Sequence, residues 1–159
     1  MISLLVAYTK NKRVIGAQGK IPWKLSSERN RFKQICQNKY VIMGRKSFEE
    51  IGKPLPYCTL VVVSHERIFK NLKTCPSLNA AIEFCKAQGQ EEILVAGGAT
   101  IYEQALPYAD KIYATEIDAD FDGDTFFPAL GPEWTCTVDE THEEDGVNYM
   151  YLTYIRTSV

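Results

Sequence analysis

Short runs of apolar residues alternate with helical patterns over the first three quarters of the chain. The runs are almost continuously apolar and occupy residues 2–8, 40–43, 60–64, 92–96 and 111–117. Such runs are typical of parallel strands that are covered on both faces. Between them, segments with helical spacing occupy residues 27–37, 46–51, 78–87 and 99–105. This order predicts an α/β fold in which helices flank a mostly parallel sheet through right-handed crossovers.

The third of these helices has the clearest boundaries. Ser77 is suited to cap its first turn, and Gly89 is suited to end it. Between them runs an apolar stripe of Leu78, Ala81, Ile82 and Cys85.

The last part of the chain has a different pattern. Residues 133–141 and 147–156 have strand character with no helix between them, and the intervening HEEDG segment, residues 142–146, is suited to a turn. We therefore expect a C-terminal antiparallel hairpin.

Composition narrows the class of protein. The 159 residues suit a single domain spanning residues 1–159 with a sizeable core. A net charge of −2 gives no general attraction to nucleic acid or to a membrane surface, and no apolar run approaches the ~20 residues of a membrane span. The five cysteines are widely spaced, without a metal-binding pattern. We expect a cytoplasmic, monomeric protein with reduced thiols, no metal site and a first strand at its N-terminus in place of a signal peptide.

Glu28 is the most informative single residue. It lies on the apolar side of the first helix, because three apolar residues follow it at helical spacing: Phe32, Ile35 and Cys36. The hydroxyl of Ser26 or Ser27 is suited to cap this helix. A charge among apolar residues costs free energy unless it has a partner. Glu28 is therefore either part of a structural ion pair or the binding group for a cationic or amide-like ligand edge.

Two strands run into glycine-containing turns that open helices. Residues 40–43 lead into Gly44, Arg45, Lys46 and Ser47, and residues 92–96 lead into Gly97, Gly98, Ala99 and Thr100. Glycines allow close approach of a phosphate, and ligands of α/β sheets bind at the carboxyl ends of the strands. Packing is the better explanation of a single turn of this kind, but two in a small domain favour a nucleotide-like ligand. The segment 15–23, which contains Gly16 and Gly19, is suited to a lid beside this cleft.

Taken in series, these motifs resemble dihydrofolate reductase of the bacterial chromosomal type. The resemblance is carried by VIGAQGKIPW, by an acidic residue five after Trp23, and by VIMGRKSFEEIGKPLP, ILVAGGATIYEQAL and IDADFDGDTFFP, in family order. It extends from Met1 to about residue 156. It implies an eight-stranded, mostly parallel sheet with four helices, NADPH as hydride donor and 7,8-dihydrofolate as acceptor.

The resemblance also implies roles for individual residues. Glu28 matches the acidic residue of the pterin pocket, and Thr115 matches the threonine that bonds to that acid. Trp23 matches a residue of the active-site loop. We expect burial to raise the pKa of Glu28. Other substrate contacts implied are Val6, Ala7, Ile21, Phe32, Ile51 and Leu55. Cofactor contacts implied are Ala7, Ile15, Gly16, Gly19, Gly44, Arg45, Lys46, Ser47, Ser64, His65, Gly97, Gly98, Ala99, Thr100, Ile101 and Tyr102.

The chain departs from the family at the site for the substrate's glutamate tail. The family usually has an arginine that binds the α-carboxylate, and here Cys58 follows Tyr57 at that place. Cysteine cannot replace a cation that forms two parallel hydrogen bonds. We expect Arg29, with Lys33 or Lys53, to take over the carboxylate, unless Arg29 is simply a solvated helix residue. The changed slot also predicts reduced sensitivity to trimethoprim.

Two further questions stay open from the residues alone. Thr100 stands where the family often has a basic residue, and Glu66 would repel a 2′-phosphate, which leaves Arg45, Lys46 and Arg67 to favour NADPH over NADH. The missing arginine is also compatible with a reductase of tail-less pterins or of a ribosylaminopyrimidine. A pterin- or nucleotide-binding protein without catalysis is the remaining alternative, although Glu28 and Thr115 are both retained.

Overall fold

The computed structural model describes residues 1–16, 26–66, 68–70 and 72–157. Its strands are β1 Ile2–Thr9, β2 Val14–Gly16, β3 Tyr40–Gly44, β4 Thr59–Val63, β5 Lys73–Cys75, β6 Ile93–Val95, β7 Lys111–Asp118, β8 Thr125–Phe126, β9 Trp134–Glu144 and β10 Val147–Arg156. Its helices are α1 Ser26–Cys36, α2 Arg45–Ile51, α3 Leu78–Ala87 and α4 Ala99–Ala105, and a short 3₁₀ turn covers Leu106–Tyr108. The predicted helices are confirmed to within one residue at each end.

Eight of the strands form one sheet in the order β5-β4-β3-β6-β1-β7-β10-β9. The pairs from β5 through β7 are parallel. Strand β10 pairs antiparallel with both β7 and β9. The predicted α/β class, with a mostly parallel sheet and a C-terminal antiparallel hairpin, is confirmed. A second sheet contains only β2 and β8, which are antiparallel.

The core lies on both faces of the large sheet. Leu4 and Ile82 belong to a cluster that α3 and α4 cover, whereas Leu5 and Phe48 belong to a cluster on the side of α1 and α2. Successive side chains of a strand point to opposite faces, so central strands buried in this way must be apolar at nearly every position.

The predicted boundaries of α3 are also confirmed. The Ser77 hydroxyl accepts a hydrogen bond of 3.1 Å from the backbone N–H of Ala80. Gly89 follows the helix with a φ of +75°, a conformation that glycine adopts without strain. Strands β2, β5 and β8 were not predicted, because each has only two or three residues and none is a continuous apolar run like that of β6.

The hairpin turn is shorter than the predicted 142–146, and that prediction is wrong. Strand β9 continues to Glu144, and β10 begins at Val147. The two residues between them, Asp145 and Gly146, have φ values of +52° and +80°. Positive φ at both central residues is the conformation that joins two right-twisted strands most directly. As a result, β9 extends to Glu144, which reaches the start of α1.

The five cysteines are all free thiols. Within the described ranges, every helix is too short or too polar to cross a bilayer.

Candidate active site

Glu28 lies in the first turn of α1 and faces the sheet at Thr115 of β7. The Thr115 hydroxyl donates a hydrogen bond of 2.7 Å to Glu28 Oε2. Thr115 is 1% exposed, and its strand partner on β1 is Ala7. The predicted bond between these two side chains is therefore present, and it attaches α1 to the middle of the sheet.

The electrostatic environment of Glu28 favours its neutral form. Burial raises the pKa of this carboxyl to about 7, although the Thr115 hydrogen bond and the charge of Arg31 both act to lower it. The expected upward shift is confirmed. Tyr102 lies near enough that burial, together with the Glu28 charge, raises its own pKa, so this phenol stays protonated. Its hydroxyl donates to the carbonyl of Leu5 at 2.7 Å. A group that titrates near pH 7 can change charge during a reaction at neutral pH.

Arg31 is a member of the site that the sequence reasoning missed. Its guanidinium carbon lies 3.9 Å from the centroid of the Tyr151 ring on β10. The Arg31 side chain is half-buried, and burial lowers its pKa. It follows Glu28 by three residues on α1, a spacing that puts both on one face of the helix. That spacing was the available signal, but the position of Tyr151 depends on the hairpin register.

The start of α1 is capped by a carboxylate from the hairpin. Glu144 accepts hydrogen bonds from the backbone N–H groups of Ser26 and Ser27, at 2.8 and 3.3 Å. Both serine hydroxyls donate to Glu144 Oε1 at 3.1 Å, and the Ser27 hydroxyl also contacts that of Tyr149. The prediction that a serine hydroxyl caps the helix is wrong. The helix already includes Ser26, so the free N–H groups need an acceptor from outside, and a negative charge is favourable there.

The two glycine turns that were identified separately lie side by side. The Gly44 N–H donates to the Gly97 carbonyl at 2.8 Å, which joins the ends of β3 and β6. A methyl group at Gly97 would lie 3.3 Å from Ser47 Oγ, and one at Gly98 would lie 3.2 Å from the same atom. A methyl group at Gly44 would lie 3.1 Å from Ile101 Cγ1. A larger residue would therefore fill the space in this turn. Because these positions are glycines, the backbone groups stay accessible at the carboxyl edge of the sheet.

Comparison with known proteins agrees with this geometry. A family model described as dihydrofolate reductase matches residues 1–158. The chain is 42% identical over 149 residues to dihydrofolate reductase from Haemophilus influenzae, covering 92% of this chain and 91% of that protein. It is 38% identical to dihydrofolate reductase type 3 from Salmonella typhimurium, with 99% and 98% of the two chains covered. It is 37% identical to dihydrofolate reductase from Bacillus subtilis, with 97% and 94% covered.

The chain belongs to the dihydrofolate reductase family.

The position of the usual family arginine lies beside an aromatic contact. Phe32 and Tyr57 meet edge to face, with ring centroids 6.5 Å apart, and the Lys33 ammonium lies 5.9 Å from the Tyr57 centroid. Cys58 is half-buried, and burial raises its thiol pKa to about 11, so it is uncharged at neutral pH. Arg29 is exposed. Ile51 and Leu55 pack against the same cluster as Phe32 and Cys58. Lys33, one of the cations expected here, thus lies near the Tyr57–Cys58 segment.

The other site residues that the family pattern implies have several different positions in the fold. Arg45 makes an ion pair of 3.4 Å with Glu49, and Lys46 is exposed. Ser64 and His65 follow β4, with His65 exposed. The buried side chain of Val6 packs with the cluster under α3 and α4, so only its backbone is available on the face where Glu28 lies. The predicted roles of Gly19, Ile21, Trp23 and Arg67 fall outside the described residues, as does most of the predicted lid.

Proposed function

We propose that this protein reduces 7,8-dihydrofolate to 5,6,7,8-tetrahydrofolate with NADPH. The observation that supports this most directly is the Glu28 carboxylate, bonded to Thr115 and titrating near neutral pH. A pterin offers an amide N–H and a 2-amino group side by side, and two carboxylate oxygens can accept both. NADPH, when bound, supplies the hydride.

Glu28 acts in this proposal by binding and by charge. Its carboxylate orients the pterin ring and favours a protonated or readily protonated pterin, to which water delivers the proton at N5. Thr115 holds the carboxylate in place, because a buried hydroxyl within 2.7 Å restricts its rotation. The contribution of the protein is orientation and electrostatic stabilisation.

The glycine turns fit a dinucleotide cofactor. The backbone at Gly44, Gly97 and Gly98 lies where side chains would intrude, with Ser47 as a neighbouring hydroxyl donor. Arg45 and Lys46 begin α2 next to this turn and supply positive charge for phosphate groups. We propose that these residues hold NADPH. A comparison of kcat/KM for NADPH and NADH tests the cofactor preference, and a higher value for NADH contradicts it.

The glutamate tail of the substrate requires a cation that Cys58 does not provide. We propose that Lys33 binds the tail carboxylate together with Arg29. The Lys33 ammonium lies 5.9 Å from the centroid of the Tyr57 ring, next to Cys58, which supports this proposal. A reductase of tail-less pterins is the second candidate, favoured by Cys58 itself.

The deciding experiment follows the absorbance of NADPH at 340 nm with purified protein. Parallel reactions contain dihydrofolate, a tail-less dihydropterin or a ribosylaminopyrimidine, and Glu28→Gln is the control variant. We expect rapid turnover of dihydrofolate, much slower turnover of the tail-less pterin, and loss of most activity in Glu28→Gln. If the tail-less pterin is turned over equally fast or faster, it replaces dihydrofolate as the proposed substrate. If none of the three compounds is turned over, the remaining alternative is a pterin- or nucleotide-binding protein without catalysis.

We also predict reduced sensitivity to trimethoprim, because the substrate slot is altered at Cys58 and Arg29. An inhibition constant in the usual tight range would contradict it.

A further inference from the structure

Glu28 and Arg31 contact two residues that are themselves neighbours across two strands. Thr115 on β7 and Tyr151 on β10 are directly opposite in the antiparallel register. Glu28 bonds to Thr115, and Arg31 stacks on Tyr151. One turn of α1 therefore rests on one cross-strand pair, through Glu28 on Thr115 and Arg31 on Tyr151.

We propose that Arg31 is a positioning residue for Glu28, and that its charge, held in place by the Tyr151 ring, stabilises Glu28 in the ionised form. This goes beyond the proposed reduction, which requires Glu28 but gives no role to Arg31. It rests on the proposed function only for its kinetic consequence.

The position of Arg31 distinguishes it from the other cations of α1. Arg29 and Lys33 are exposed, where solvent screens their charge. Arg31 is half-buried, and its guanidinium carbon lies 3.9 Å from the centroid of the Tyr151 ring. A planar guanidinium stacks on an aromatic face better than an ammonium does. Arg31 thus loses part of its hydration in this position.

Charged and titratable groups on three of the described strands, β7, β9 and β10, surround this pair. Arg31 interacts with Glu28 on its own helix, with Tyr151 on β10, and with Asp139 and Glu140 on β9. It also acts on Tyr113 of β7, whose pKa burial raises.

Glu28 faces Thr115, Arg31, Tyr102 and Tyr151. Both tyrosines have raised pKa values, mainly through burial, and stay neutral near pH 7. Within the part of the chain that the structure describes, the charge of Arg31 therefore opposes the effect of burial on Glu28.

The test is a carboxyl titration of the ligand-free protein by NMR, with carbon-13 at the glutamate carboxyl carbon. The Glu28 signal is assigned by its loss in Glu28→Gln. In Arg31→Gln we expect the titration midpoint of Glu28 to rise by about half a unit to one unit, which lowers the ratio of ionised to neutral carboxyl roughly three- to tenfold at a fixed pH. Arg31→Lys keeps the charge and is expected to shift the midpoint by less than half as much.

Arg29→Gln is the matched control, because it removes the same charge from an exposed position of the same helix. Its midpoint should stay close to that of the unmodified protein. If Arg31→Gln does not fold, Arg31→Met removes the charge while leaving an unbranched stem over the Tyr151 ring. An unchanged Glu28 midpoint in the neutral variant overturns the proposal, and so does a shift in Arg31→Lys as large as in the neutral variant.

The kinetic consequence is read separately. The pH profile of kcat with NADPH and dihydrofolate should move in the same direction as the NMR midpoint in Arg31→Gln. Absence of turnover in the unmodified protein would count against the proposed function, whereas the ligand-free titration would still decide the role of Arg31.

Discussion

Thr115 and Tyr151 lie directly opposite each other on β7 and β10, and each holds a different charged residue of α1. The register between these strands therefore decides where the helix rests on the sheet. A shift of β10 by one residue against β7 would turn Tyr151 to the other face of the sheet, while Thr115 stays in place through the pairing of β7 with β1. The antiparallel hairpin is thus part of the site, although the chemistry-bearing motifs all precede it in the chain.

The raised pKa of Glu28 predicts that this residue destabilises the fold at high pH. A carboxyl whose pKa is about 7 in the folded protein and 4.5 in the unfolded chain binds more protons when folded. Its contribution is fully present below pH 4.5 and is lost as the pH rises through 7. Relative to Glu28→Gln, the unmodified protein should lose roughly 3 kcal/mol of stability between pH 4.5 and pH 8.

Urea unfolding of both proteins at pH 5 and pH 8 measures this difference. Glu28→Gln should gain stability relative to the unmodified protein at the higher pH while losing activity, as expected where a binding site holds a buried charge. A stability difference that does not depend on pH would show that Glu28 keeps an ordinary pKa.

The cap of α1 predicts a stabilising role for Glu144. Glu144→Gln weakens four hydrogen bonds and removes a negative charge from the helix start, so its Tm at pH 7 should be lower. The neighbouring Glu143 is exposed, and Glu143→Gln is the matched control with little expected change.

The effect of Glu144 should depend on pH in the sense opposite to that of Glu28. Hydrogen bonds from the Ser26 backbone lower its pKa, so its stabilisation is present above the ordinary glutamate pKa and is lost as the pH falls through the lowered value. Equal Tm values for the two variants across this range would exclude the cap as a source of stability.

Recognition of the glutamate tail predicts kinetic effects for cations near Cys58. Lys33→Ala and Arg29→Ala should each raise KM for dihydrofolate, by about tenfold for the residue that bonds the carboxylate, because a charged hydrogen bond is worth about 1.5–3 kcal/mol. The KM for a tail-less dihydropterin is the internal control and should not change. If neither substitution alters the KM for dihydrofolate, these cations do not bind the tail.

The glycine turn at the end of β6 predicts an effect on cofactor binding. Gly97 has a φ of +115°, and Gly97→Ala would place a methyl group 3.3 Å from Ser47 Oγ and from the Tyr102 hydroxyl. We expect lower stability and a higher KM for NADPH. Gly89→Ala is the matched control, since it has a φ of +75° and no atom within 4 Å of the added methyl group. It should lower stability by roughly 1 kcal/mol and leave the KM for NADPH unchanged. An equal increase in KM in both variants would mean that backbone strain alone is responsible.

Much of the fold follows from local patterns. The apolar runs at 2–8 and 111–117 predict buried parallel strands, and the structure has β1 and β7 there. The boundaries of α3 follow from Ser77 and Gly89, because capping and positive φ are properties of residues and their immediate neighbours. The spacing around Glu28 predicts a carboxylate on an apolar helix face, since helical periodicity is also local.

The contacts of Arg31 and Ser26, which lie near Glu28 on α1, do not follow from local sequence. Tyr151 meets Arg31 only because β10 pairs with β7 in one register, and Glu144 reaches Ser26 only because the hairpin turn has two residues instead of five. The sequence by itself therefore determined the helices, the glycine turns, the buried acid and all strands except β2, β5 and β8. The tertiary structure decided which cation faces that acid and what caps its helix, because contacts between residues over one hundred positions apart depend on strand order and register, which no local period encodes.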